Sequence, residues 1–344
     1  MTTSLEGLDL DALDRHLRSV GVARSGELRA ELISGGRSNL TFLVFDDASK
    51  WVLRRPPLHG LTPSAHDMAR EYKVVAALQD TPVPVARAVT MLNDDSVLGA
   101  PFQMVEHVPG RVVRYENELE KLGDKAVISD SVDALIRVLA DLHAVDPDAV
   151  GLGDFGKPTG YLERQVRRWG GQWELVRRED DPCDTDVKRL HSALAEAIPP
   201  QSRNSIVHGD YRIDNTILDA QDATRVVAVL DWEMSTLGDP LSDAALMCVY
   251  RHPMFNLIHA SSAWASPLIP EVDELANRYS VAAGQSLDNW DFYMALGYFK
   301  VAIIAAGIAF RARMGGGVAA DTDAVDQAVA PLIAEGLSAL SPRV

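Results

Sequence analysis

The stretch Ile206-Val-His-Gly-Asp-Tyr-Arg-Ile-Asp-Asn-Thr-Ile-Leu-Asp-Ala-Gln-Asp-Ala-Thr-Arg-Val-Val-Ala-Val-Leu-Asp-Trp-Glu233 decides how the rest of the chain is read. It places His208, Asp210, Asn215 and Asp231 between apolar, β-branched runs of the kind that form short strands. Loops pinned by such strands are where reactive side chains are usually held. Four residues separate Asp210 from Asn215, and Asp231 follows the run Val226–Leu230. With this spacing one carboxylate can take the proton of an acceptor hydroxyl, while a carboxamide and a second carboxylate hold Mg²⁺ on the phosphates of a nucleotide.

On the N-terminal side the pattern is mostly that of strands. Residues 8–19 have the periodicity of an amphipathic helix, and Leu28–Ile33 reads as a strand entering Ser34-Gly-Gly-Arg-Ser-Asn39. Leu40–Phe45 and Trp51–Arg55 flank Asp46-Asp-Ala-Ser-Lys50, whose composition is that of a hairpin loop. The spacing predicts a β-meander. Thr62-Pro63 then opens a helix carrying Met68, Tyr72, Val75 and Leu78, and strands follow at Val85–Met91 and Pro101–His107. Val108-Pro-Gly110 is a turn signal, and beyond it helical periodicity dominates at 129–145, 159–176, 190–198, 240–250, 272–282, 290–313 and 322–340. The expected organisation is α+β: a small β-rich N-terminal lobe over residues 1–107, a hinge at about 103–110, and a larger, mainly helical lobe over 108–344 that holds the central stretch.

At 344 residues the chain exceeds what one hydrophobic core usually covers, which agrees with two lobes. Its apolar share of 47% and charged share of 24% are those of an ordinary globular protein. A net charge of −16 argues against a nucleic-acid partner, since phosphate backbones need a basic surface. Cys183 and Cys248 are the only cysteines, too few for a disulfide framework or a cysteine zinc site, and the N-terminus has no secretory pattern. The expected compartment is the cytoplasm. Phe292–Phe310 is apolar enough to raise the question of a membrane span, but Lys300 lies within it, so a buried core helix and no membrane partner are expected.

His208-Gly-Asp210, Asp214-Asn215 and Asp231-Trp-Glu233 resemble the catalytic and metal-binding loops of the kinase-like phosphotransferases, and most of all the aminoglycoside phosphotransferase family. Gly151-Leu-Gly-Asp-Phe-Gly156, Gly160-Tyr-Leu-Glu-Arg-Gln-Val-Arg-Arg-Trp169 and Leu237-Gly-Asp-Pro-Leu-Ser-Asp243 resemble the subgroup that is fused in some animals to acyl-CoA dehydrogenase domains. The resemblance covers about residues 28–313. It implies a bilobal protein-kinase-like fold, Asp210 as catalytic base, Asn215 and Asp231 as Mg²⁺ ligands, and His208 as a brace for the loop. The implied partners are ATP or GTP as phosphate donor and a small molecule bearing the acceptor hydroxyl. Oligomeric state is left open.

The same resemblance places a nucleotide-covering loop at Ser34–Asn39, where Ser38 or Asn39 would donate to phosphate. It is not a P-loop, because no Gly-Lys-Ser/Thr follows. Arg54 stands where kinases have a phosphate-binding lysine, with Glu71 as its partner; Arg55, next along the strand, must face the other way. Gln103–Val108 corresponds to the hinge, where backbone groups near Glu106 and Val108 would meet the adenine edge and Met104 would either limit the pocket or pack in the core. Asp243 is placed to hold the catalytic loop through its amides, and Asp239 to cap the helix. Arg167, Arg168, Trp169 and Trp173 form either an acceptor site or an ordinary helix face.

Three function classes fit these residues: a Mg²⁺-dependent kinase of small-molecule hydroxyls, a kinase-like module that binds nucleotide without catalysis, and a metal-dependent hydrolase. Intact Asp210, Asn215 and Asp231 favour the first. The hydrolase lacks the additional His and Asp ligands of a two-metal site.

Overall fold

Alternating burial along Leu40–Phe45 and Lys50–Arg55 builds the first sheet, because every second side chain turns to the same face. A computed structural model describes residues 5–35, 39–58, 68–259, 261–315 and 322–341. The chain divides into two units: Met1–Pro109 with Val227–Ser235, and Gly110–Val226 with Thr236–Val344. The proposed opening of a helix at Thr62-Pro63 lies outside the described residues.

In the smaller unit α1 (Leu10–Ser19) is followed by β1 (Arg29–Gly35), β2 (Leu40–Phe45), β3 (Lys50–Arg55), α2 (Met68–Leu78), β4 (Ala88–Leu92) and β5 (Phe102–Glu106). Asp9 caps α1 by accepting the Ala12 N–H at 2.9 Å. The strands form one antiparallel sheet in the order β1-β2-β3-β5-β4. The meander therefore ends at β3, and β5 inserts between β3 and β4. Leu13 and Leu17 of α1 share a core with Phe42, Val44, Trp51, Leu53, Phe102 and Met104. The register sets Arg54 opposite Thr41 on one side and Gln103 on the other. Arg55 is buried on the opposite face and donates to the carbonyls of Gly7 and, at 2.9 Å, Leu98. Between β2 and β3, Asp46 accepts the N–H groups of Ser25, Ala48 and Ser49 at 2.7, 2.8 and 2.7 Å and so shapes the hairpin loop. The later segment is tied to this unit by Val229 N–H on the Pro84 carbonyl at 2.8 Å and by Arg70 on the Ser235 carbonyl at 3.0 Å.

The larger unit contains α3 (Glu116–Leu119), α4 (Lys125–Ala144), α5 (Tyr161–Val176), α6 (Asp184–Glu196), β6 (Ser205–Val207) and β7 (Thr216–Leu218). After β8 (Val226–Val229) come β9 (Thr236–Gly238), α7 (Pro240–Val249), α8 (Phe255–Ile258), α9 (Val272–Ala283), α10 (Trp290–Arg313), α11 (Thr322–Gln327) and α12 (Val329–Ala339). The C-terminal helix expected over 322–340 is thus two helices. Helix α4 starts earlier than its apolar pattern suggests, because Asp124 caps it through the N–H groups of Ala126 and Val127.

Strands β6 and β9 pair antiparallel, with Ile206 opposite Leu237. A Cβ on Gly238 of β9 would lie 2.6 Å from the Tyr161 ring, so only glycine fits there. Helix α10 is long and apolar enough to cross a bilayer by length and composition. It is apolar all round because it is packed on several sides, by α5, α6, α7 and α12, and most of its residues are buried.

Candidate active site

In the larger unit β6 ends at Val207 and the chain turns through His208, Gly209 and Asp210. Gly209 has φ +84°, a conformation that side-chain-bearing residues seldom adopt. Asp243, in the first turn of α7, accepts the His208 N–H at 2.5 Å and the Gly209 N–H at 2.8 Å. His143, from the last turn of α4, lies behind it, with Nε2 3.3 Å from Asp243 Oδ2 and Nδ1 2.7 Å from the Tyr279 hydroxyl. A carboxylate only accepts, so Nε2 carries the proton and Nδ1 accepts from Tyr279. Burial lowers the His143 pKa and favours this neutral form. Burial alone would raise the pKa of Asp243, but His143 and the loop amides outweigh it and the carboxyl lies below its ordinary value.

The Asp210 carboxylate meets four donor contacts. Oδ1 accepts from the Tyr250 hydroxyl at 2.5 Å and Arg212 Nε at 3.3 Å; Oδ2 accepts from Asn215 Nδ2 at 2.9 Å and Arg212 Nη2 at 3.4 Å. Burial pushes the Asp210 pKa up, but the Arg212 charge and the Tyr250 hydrogen bond overcome it, and the net shift is downward. These donors hold the Asp210 carboxylate as an anion. Asn215 Nδ2 also donates to the Asp210 carbonyl at 2.7 Å, so the carboxamide oxygen is the atom Asn215 can offer to a cation. Arg212 bridges onward to Asp214 and lies 5.6 Å from the Tyr250 ring centre and 5.4 Å from that of Phe255. Burial raises the Asp214 pKa to about 6, against the pull of Arg212 and helped by the Asp210 charge.

His208 is buried, and its Nδ1 accepts the Asp210 N–H at 3.2 Å, which is a bracing contact. Asp239 caps α7 by accepting the Leu241 N–H at 3.0 Å. Trp169 and Trp173 are buried, with their indole N–H groups on Gln165 at 3.2 Å and Asp184 at 2.9 Å, while Arg167 and Arg168 are exposed. The tryptophans are packing residues of α5.

In the smaller unit Arg54 donates to Glu71 Oε2 at 2.7 Å, and Gln103 Nε2 donates to the same oxygen at 2.7 Å. Asp231 adopts a left-handed conformation, φ +62° and ψ +62°. Its Oδ1 is buried without a hydrogen-bond partner among the described residues. One carboxylate oxygen from each of Glu71, Asp231 and Glu233 lies within 4.8 Å of the others. Oxygen donors with an orphaned carboxylate atom are the donor set a hard cation needs, so the residues present fit Mg²⁺. Asn39 is buried, and Ser38 lies outside the described residues. Met104 is a member of the sheet core. The Glu106 N–H is taken by the Arg87 carbonyl at 2.8 Å, and Val108 is half-buried.

Sequence reasoning gave no role to Tyr250, Arg212, Asp214 or His143. Arg212 and Asp214 lie inside the decisive stretch, and their alternation around Ile213 was an available signal. Tyr250 and His143 stand at helix ends with no local mark of their role.

A His-Gly-Asp loop clamped by a helix aspartate, a strand arginine paired with a helix glutamate and a small antiparallel sheet followed by helices define the protein-kinase-like α+β class. The chain belongs to the phosphotransferase enzyme family (APH), whose pattern matches residues 29–294. It is 35% identical to acyl-CoA dehydrogenase family member 11 of Pongo abelii over 340 residues, which is 96% of this chain and 42% of that protein. The chain therefore spans well under half the length of that relative. A crystal structure from Ralstonia eutropha assigned to the aminoglycoside phosphotransferases is 32% identical, with a TM-score of 0.82 over 96% of this chain and 98% of the other. A ternary complex of the aminoglycoside phosphotransferase APH(4)-Ia with ADP and hygromycin B shares the fold at a TM-score of 0.61 and 15% identity, covering 95% and 97% of the two chains.

Proposed function

We propose that the chain transfers the γ-phosphate of ATP or GTP to a hydroxyl group of a small molecule, with Mg²⁺. The observation that carries this is the Asp210 carboxylate, kept ionised by Arg212 and Tyr250 on a loop whose amides are held by Asp243. Phosphoryl transfer through a loose transition state asks the base mainly to orient the nucleophile and to take its proton late, which a carboxylate of low pKa does well. Asn215 and Asp231 are the oxygen donors assigned to Mg²⁺, which when bound would neutralise charge on the phosphates. Arg54, held by Glu71, is assigned to the donor phosphates, and so are Ser38 and Asn39. Glu106 and Val108 are assigned to the base of the nucleotide through their backbone. A cytoplasmic site of action goes with the cysteine usage.

One observation favours a nucleotide-binding module without catalysis. All four acceptor positions of the Asp210 carboxylate are met from within the protein, so an acceptor hydroxyl must displace one of those donors.

Two measurements test the proposal. Thermal shifts with ATP, GTP and ADP, each with and without Mg²⁺, should show a metal-dependent rise, because a ligand of the folded state must stabilise it. A screen of hydroxyl acceptors by ADP release should then give turnover that Asp210→Asn abolishes while nucleotide binding persists. Nucleotide shifts with no acceptor-dependent ADP release would leave the non-catalytic module.

A further inference from the structure

Lys300 is the one charged residue between Asp291 and Arg311 in an otherwise apolar helix. Its ammonium donates to the Gly209 carbonyl at 2.7 Å and lies 5.8 Å from the centre of the Trp169 ring. An ammonium at such a place is costly: burial lowers the Lys300 pKa, and only the neighbouring charges of Asp210 and Asp243 oppose that. Packing gives no reason for it, since an apolar side chain of similar length would fill the same space without the desolvation cost.

We propose that Lys300 is a positioning residue for the Asp210 loop, fixing the peptide plane that carries the catalytic carboxylate. The Gly209 carbonyl and the Asp210 N–H belong to one peptide group. Lys300 holds its oxygen, and His208 Nδ1 holds its N–H at 3.2 Å. The preceding amides, those of His208 and Gly209, are held by Asp243. Gly209, at φ +84°, has no Cβ to limit rotation about its own backbone bonds, so the orientation of this plane depends on the hydrogen bonds at its two ends. A rotation there would swing the Cα–Cβ bond of Asp210 and carry the carboxylate away from Tyr250 and Asn215. Misplacement of about 1 Å costs about a hundredfold in rate. The assignment rests on the proposed role of Asp210 as base.

The test uses the full chain with Lys300→Met and Lys300→Arg. Melting temperature, amide hydrogen exchange across residues 206–212, and kcat and KM for nucleotide are measured on each. For Lys300→Met the expected result is an unchanged or higher melting temperature, exchange in that segment about tenfold faster, and lower kcat at unchanged nucleotide KM. Lys300→Arg should restore part of the exchange protection and part of kcat. Exchange at the wild-type rate in Lys300→Met, or a rise spread over the whole chain with a lower melting temperature, would overturn the proposal. If the wild type transfers no phosphate, the function proposed above fails on its own, while the exchange measurement still decides whether Lys300 holds the loop.

Discussion

The Tyr250 hydroxyl donates to Asp210 Oδ1 at 2.5 Å, the shortest contact the carboxylate makes. Burial and the Asp210 charge raise the Tyr250 pKa, so the phenol stays protonated and remains a donor. Tyr250→Phe removes a hydrogen bond to a charged group, worth about 1.5–3 kcal/mol. We predict that kcat falls at least about tenfold while KM for nucleotide is unchanged. Steady-state kinetics at saturating nucleotide decide it, and an unchanged kcat would remove Tyr250 from the orientation of the base.

Arg54 and Gln103 both donate to Glu71 Oε2 at 2.7 Å. Arg54→Met leaves the buried Glu71 carboxylate without its cation. The expected outcome is a loss of about 1–3 kcal/mol in stability and a weaker thermal shift with nucleotide. If Arg54 serves only the fold, the apo melting temperature drops and the nucleotide-dependent shift stays at its wild-type size.

Asp231 shares its surroundings with Glu71, whose charge Arg54 partly offsets, and with Glu233, and like charges this close repel one another unless a metal cation lies among them. Asp231→Asn relieves part of that repulsion. Without metal the variant should melt higher than the wild type, and with Mg²⁺ and nucleotide it should melt lower. Chelator and Mg²⁺ titrations followed by melting temperature separate the two arms; a variant that melts lower in both would assign Asp231 to the fold alone.

Asp46 supplies a test of pH dependence away from the site. Burial would raise its pKa, but hydrogen bonds from the Ser25, Ala48 and Ser49 amides outweigh it and the shift is downward. Its folded pKa is therefore below the unfolded value of about 3.9, so its contribution is complete above that value and is lost as pH falls through the folded pKa. Asp46→Asn should cost about 1–3 kcal/mol at pH 7 by urea unfolding, and the gap to the wild type should close below about pH 4. A gap of constant size down to about pH 2 would mean that the carboxylate charge contributes nothing.

What the amino-acid sequence determined by itself was local in origin. The strands and helices followed from side-chain periodicity: β2 lies at Leu40–Phe45 and α10 at Trp290–Arg313, as their patterns require. The loop that carries Asp210 and Asn215 was legible because a tight turn and its anchors must carry fixed residue types at short fixed spacings. Asp243 and Arg54 were found the same way, each from a neighbouring motif, and their bonds to the loop amides and to Glu71 are present. Tertiary structure alone decided the rest. It inserted β5 between β3 and β4, since which strand pairs with which depends on core packing across the whole sheet. It joined Val227–Ser235, and with it Asp231, to the residues of the smaller unit. It also brought Tyr250, His143 and Lys300 to the Asp210 loop from 40 to 100 residues away along the chain: Tyr250 to Asp210, Lys300 to the Gly209 carbonyl, and His143 through Asp243. No local pattern marks such a residue, because its side chain gains a partner only when distant helices close on the same loop.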